Sequence, residues 1–126
     1  MEDANRPVDK GVWVVAEHDG RSLRPVTLEL LCEARKLATR LNEELCVCLL
    51  GGGVAGLVPA LAAYGPQKVH LVEHEGLRRY RSDTWTANTV ALIEAWRPGI
   101  VMFGDTADGG ELAARVSARL QRPCIT

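Results

Sequence analysis

Arg97 to Thr126 reads R-P-G-I-V-M-F-G-D-T-A-D-G-G-E-L-A-A-R-V-S-A-R-L-Q-R-P-C-I-T, and the order of its residue types decides the fold. Ile100 to Phe103 reads as an apolar strand and Gly104 to Gly110 as a Gly/Asp/Thr loop. Glu111 to Leu120 is then an amphipathic helix that starts on two glycines, and Cys124-Ile125 the beginning of a further strand. A strand that delivers its chain into a helix N-terminus leaves a cluster of backbone N–H groups without helical partners, which suits an anion or phosphate. The stretch stops one strand after that helix, where a larger protein is expected to continue.

The same alternation runs through the rest of the chain. Gly11 to Ala16 (G-V-W-V-V-A) is a continuous apolar, β-branched run, as expected of a strand covered on both faces. From Val26 to Leu41 the residues Leu28, Leu31, Cys32, Ala34, Leu37, Ala38 and Leu41 recur at three and four, the period of an amphipathic helix. Pro25 suits its first turn, where an N–H has no partner. Leu45 to Leu50 is a second strand, broken by Gly51-Gly52-Gly53, and Val54 to Tyr64 a short helix ended by Gly65-Pro66. Lys68 to Val72 is a third strand. Ser82 is placed as the N-cap of a helix reaching Trp96, with Asp83 in its first turn and Trp85, Thr89, Leu92, Ile93 and Trp96 on one side. Pro98-Gly99 stops it.

The predicted order is β-α-β-α-β-α-β-α-β with short connections. Right-handed crossovers then give an α/β fold, a three-layer sandwich around a mostly parallel, Rossmann-like sheet. Residues 1–10 read as a polar lead-in and residues 11–126 as the α/β domain.

Composition narrows the function. The 126 residues are 47% hydrophobic and 25% charged, enough for one globular domain. Fifteen Lys and Arg against sixteen Asp and Glu leave a net charge of −1, so no basic surplus argues for nucleic acid. Apolar runs are too short to span a bilayer, and M-E-D-A-N-R-P-V-D-K lacks the apolar core of a signal peptide, so a cytoplasmic protein is expected. Cys32, Cys46, Cys48 and Cys124 lie in apolar periodic segments and read as small buried thiols in a reducing compartment. Cys46 and Cys48 share a strand face, and C-x-C without a second pair or a nearby His is a poor metal signature, so no metal site is expected.

Three places invite a functional reading. Gly51 to Gly56 (G-G-G-V-A-G) matches G-x-G-x-x-G after a strand, with Glu73 in the position of a ribose-binding acid. It follows the second strand rather than the first, and Pro59 shortens its helix. Glu17 and His18 stand at the carboxyl end of the first strand, where a polar turn explains them as well as acid–base work does. The loop Gly104 to Gly110 is the best local candidate for a ligand. Gly104 permits close backbone approach, Thr106 or Asp108 can cap the next helix, and Gly109 and Gly110 expose its first N–H groups. Two aspartates and no Lys or Arg in that loop count against a phosphate. His70 reads as a sheet histidine and His74 as a solvated one; Ser22, Ser82 and Ser117 lie in no nucleophile motif. Trp13, Trp85 and Trp96 read as core or subunit-contact anchors. No catalytic constellation is visible.

Several segments together resemble the N-terminal domain of the electron transfer flavoprotein α subunit. They are V-V-A-E-H-D-G (Val14 to Gly20), the helix start at Pro25 to Leu37, A-A-Y-G-P-Q-K-V (Ala62 to Val69) and, most specifically, Pro98 to Leu120. Ala114 stands where the family often has proline, a change that eases the helix. The resemblance implies an adenine nucleotide α-hydrolase-like domain that docks on a β subunit carrying AMP or a second flavin. It also implies FAD held mainly by a C-terminal domain beginning after Thr126. Electrons would pass from acyl-CoA or similar dehydrogenases through that FAD to a quinone-linked acceptor. The domain alone would then be a scaffold, not an enzyme, binding no FAD by itself, with a homodimer as an option when isolated. The alternative is a stand-alone module similar to universal stress proteins, holding ATP or AMP with Glu17, Gly104, Asp105, Thr106, Gly109 and Gly110. A small NAD-dependent enzyme using Gly51 to Gly56 is the third.

Overall fold

Four apolar runs become the strands of one all-parallel sheet in a computed structural model that describes residues 9–125: β1 (Val12–Val15), β2 (Leu45–Gly51), β3 (Lys68–Glu73) and β4 (Ile100–Met102). Their spatial order is β3-β2-β1-β4. Val12 pairs with Leu45 on one side and Ile100 on the other, and β2 pairs with β3 from Cys46–Lys68 to Gly51–Glu73. The central strands β1 and β2 are buried along their whole length, whereas the edge strands are only partly covered. This is why the first two read as unbroken apolar runs and β3 carries Lys68 and His70.

The pleat sorts the core into two halves. Val12, Val14, Ala16, Leu45, Val47 and Leu49 face α1 (Pro25–Leu41) and α2 (Val58–Ala62), meeting Leu31, Ala34, Ala38 and Leu61. Trp13, Val15, Cys46, Cys48 and Leu50 face α3 (Ser82–Trp96) and α4 (Ala107–Leu120), meeting Trp85, Ile93, Leu112 and Val116. Helices on both faces of a parallel sheet make the three layers expected from the sequence.

Several boundaries differ from the sequence reading. The helix expected over Val54 to Tyr64 splits into a 3-10 turn at Ala55–Leu57 and the short α2, with Pro59 at its start. Arg81, not Ser82, occupies the N-cap of α3, and no side chain caps it; Asp83 Oδ1 instead accepts from the Thr84 amide. The α4 helix starts at Ala107, four residues before Glu111, because the Thr106 side chain caps it and lets the two glycines into the first turns. Cys124-Ile125 forms no strand. After α4 the Arg122 amide bonds back to Ser117 O and its guanidinium pairs with Asp9, and no backbone hydrogen bond joins this segment to β4 among the described residues.

Two of the four expected buried thiols are exposed. Cys46 and Cys48 are buried, but Cys32 lies one position past the Leu31–Ala34–Ala38 stripe of α1, and Cys124 follows α4. Trp13 and Trp85 are core residues, whereas Trp96 is 54% exposed at the end of α3. Of the lead-in at residues 1–10, residues 1–8 lie outside the described residues. Asp9, within that lead-in, pairs with both Arg97 and Arg122 and so ties the start of the first strand to the ends of α3 and α4.

Candidate functional site

The chain walks from β1 to β2 to β3 in one direction and returns to place β4 on the other side of β1. The carboxyl ends of β1 and β4 therefore flank the topological switch point, the crevice where open α/β sheets bind ligands. Glu17 and Gly104 both stand there, just past the ends of these strands.

The backbone of Glu17 is fixed by the start of α1. Its N–H donates to Thr27 Oγ1 at 2.7 Å, the Thr27 hydroxyl donates to Glu17 O at 3.0 Å, and the Arg24 N–H donates to the same carbonyl at 2.9 Å. Its side chain turns toward α4. The Thr106 hydroxyl donates to the carboxylate, with Oε1 at 2.8 Å and Oε2 at 3.0 Å, while Thr106 Oγ1 accepts from the Gly109 N–H at 2.9 Å. Thr106 O accepts from the Gly110 N–H at 2.8 Å. The helix N-terminus thus delivers its positive end to Glu17 through one hydroxyl.

The glycines make the room. A Cβ on Gly104 would lie inside contact distance of Glu17 Oε2, and one on Gly109 would lie 2.7 Å from that atom and closer still to Gly104 O. Glu17, Gly104, Thr106 and Gly109 therefore converge. Asp105 and Gly110 sit at the exposed rim, and a Cβ on Gly110 would meet nothing. The cavity beside this cluster has a volume of about 20 Å³ and is lined by Ala16, Glu17, Tyr80, Trp85, Gly104 and Gly109 among others. That is room for about one water. Tyr80 donates its hydroxyl to Glu111 at 2.8 Å, and burial, reinforced by that carboxylate, pushes the phenol well above its ordinary value.

The other candidates resolve into structural bonds. Glu73 Oε1 accepts from the Val54 and Ala55 amides at 2.6 and 2.8 Å, so the acid closes the Gly51 to Gly56 loop from within. His18 Nδ1 accepts from the Gly20 N–H and its Nε2 lies 2.6 Å from Leu50 O, an arrangement in which Nε2 donates and both ring nitrogens are engaged. His74 is exposed, and its Nδ1 accepts from the Gly76 N–H. His70 packs between Trp13 and Trp96, each ring centroid 4.8 Å away. Thr27 was missed from sequence; its only signal was a hydroxyl on the buried side of a helix, two residues after Pro25. Among the described residues no group of His, Cys, Asp and Glu is placed to hold a metal.

The electron transfer flavoprotein domain model matches residues 12–126, nearly the whole chain. The chain belongs to the electron transfer flavoprotein domain family. An electron transfer flavoprotein subunit alpha from Syntrophomonas wolfei is 34% identical over 111 residues, covering 88% of this chain and 34% of the relative. Protein FixB from Clostridium saccharobutylicum is 40% identical over 111 residues, with 88% and 33% covered. The acryloyl-CoA reductase electron transfer subunit beta of Anaerotignum propionicum is 31% identical, with 88% and 30% covered. The chain spans about a third of the length of these relatives. The resemblance carried by Val14 to Gly20 and Pro98 to Leu120 is borne out.

A flavoprotein family implies FAD, and the switch-point crevice does not fit it. Drug-sized ligands need pockets of roughly 300 Å³ or more, whereas this cavity holds about 20 Å³. A pyrophosphate would meet the Glu17 carboxylate and Asp108, and among the described residues no Lys or Arg lines the cavity to offset them. Among the described residues no helix is long and apolar enough to cross a membrane.

Proposed function

We propose that this chain is the scaffold and partner-docking portion of an electron transfer flavoprotein α subunit, in a cytoplasmic complex. In that reading a β subunit docks on it, and FAD sits on parts of the α subunit outside these residues. Electrons from acyl-CoA or similar dehydrogenases pass through that FAD, while the α/β domain supplies a rigid body and performs no catalysis alone. The observation that carries the reading is the match of residues 12–126 to the family over about a third of each relative's length. The filled crevice supports it, because a switch point without room for a nucleotide leaves shape and surface as the contribution of this edge of the sheet. The name of the Anaerotignum relative, which couples it to a CoA-linked reductase, supports that class of electron donor or acceptor.

Co-expression of the tagged chain with the β subunit of an electron transfer flavoprotein tests the docking. A complex with one copy of each, persisting through size-exclusion chromatography, is expected. A β subunit that elutes alone, beside a folded tagged chain, refutes the reading.

A further inference from the structure

We propose that Glu17 is a built-in occupant of the switch-point crevice, its carboxylate standing where the phosphate of a bound nucleotide would stand, and that it thereby excludes nucleotides from this domain. The inference rests on the scaffold reading and gives its nucleotide-free character a cause. Three observations carry it. The crevice lies at the β1/β4 switch point, above the N-terminus of a fourteen-residue helix, where an anion is favoured by geometry and dipole. The Glu17 carboxylate is already there, bonded through the Thr106 hydroxyl to the first turn of α4. Gly104 and Gly109 lack the Cβ atoms that would collide with it, so the cradle is shaped around this side chain.

Capping alone does not explain the cluster. Thr106 satisfies the Gly109 N–H by itself, and that bond requires neither an acid at position 17 nor a glycine at 104. The second glycine loop on the same sheet edge repeats the device. There Glu73, at the end of β3, accepts from the Val54 and Ala55 amides. Each loop is closed by an acid from the end of a strand.

The test is a titration of the isotopically labelled full chain with inorganic phosphate and, separately, with AMP, reading the Gly109 and Gly110 amide resonances. In the wild type neither amide moves at millimolar ligand. In Glu17→Ala, which empties the cradle and removes the charge, both move, with phosphate binding at least ~10-fold tighter than any wild-type response. Glu17→Gln keeps the volume and removes only the charge, so it guards against a Glu17→Ala chain that does not fold; a smaller gain for phosphate is expected from it. Wild-type amides that respond to phosphate or AMP overturn the proposal. So does a folded Glu17→Ala chain as silent as the wild type, or, where that variant does not fold, a silent Glu17→Gln chain. Capture of the β subunit by the wild type is measured separately, so failure here leaves docking standing, and failure of docking leaves the crevice result standing.

Discussion

Replacing Thr106 by valine keeps the volume of the side chain and removes two hydrogen bonds at once. The first is the N-cap bond accepted from the Gly109 amide, and the second is the bond donated to the Glu17 carboxylate. Loss of a threonine N-cap costs about 0.5–2 kcal/mol. A hydrogen bond to a charged group is worth about 1.5–3 kcal/mol. Glu17 is only half-buried, so water replaces part of that donor, and about 1 kcal/mol is the reasonable share. The expected total is about 1.5–3 kcal/mol by urea denaturation, or a fall in Tm of roughly 6–12 °C for a domain of this size. Amide exchange should quicken across the first turn of α4. Thr106→Ser, which keeps the hydroxyl, should stay within about 0.5 kcal/mol of the wild type. A Thr106→Val chain that loses less than about 0.5 kcal/mol would refute the reasoning, since neither bond would then matter to the fold.

Three further outcomes follow from other parts of the molecule. Asp9 is held below its ordinary 3.8 by its hydrogen bond to Arg122, then by that to Arg97. Its contribution is therefore present above that value and lost as pH falls through the lowered one, and Asp9→Asn should flatten the acid limb of the stability profile; an unchanged limb contradicts the pairing. His70 is pushed below its ordinary 6.5 by burial and then by Lys68, so its NMR titration midpoint should lie below 6.5 and rise in Lys68→Ala. Because the unfolded chain then binds that proton more readily, stability from His70 is complete above 6.5 and lost as pH falls through the lower folded value; a midpoint at or above 6.5 sinks this. Ellman's reagent should label Cys32 and Cys124 in the folded chain. Cys46 and Cys48, whose thiols burial pushes up, should wait for unfolding, and four fast thiols would contradict the core assignment.

The strands at the centre of the sheet were legible because burial on both faces leaves no polar residue in them, as in Val12 to Val15 and Leu45 to Leu50. Helix α1 was legible from its period, including the position of Pro25. Legibility failed where a single hydrogen bond decides. The start of α4 moved four residues because Thr106 found Gly109 and also an acid 89 positions away, and no local pattern announces a partner at that distance. The strand expected at Cys124-Ile125 has the right residue types but lies in a segment that Arg122 ties to Asp9. Within the candidate site, the glycines and Thr106 could be read as a ligand loop or a self-capped one with equal ease. What tips the geometry is Glu17, whose role depends on the parallel pairing of β1 with β4, a tertiary fact. Cys32 shows the limit of periodicity in the other direction, since one step along a helix turns a buried position into an exposed one.

The proposed function requires that these residues be architecture and that flavin be seated elsewhere. The visible absorption spectrum of the purified chain, after incubation with excess FAD and removal of free cofactor, tests it most directly. A colourless protein that retains its folded circular dichroism is the predicted result. A yellow protein carrying one flavin per chain would contradict the account.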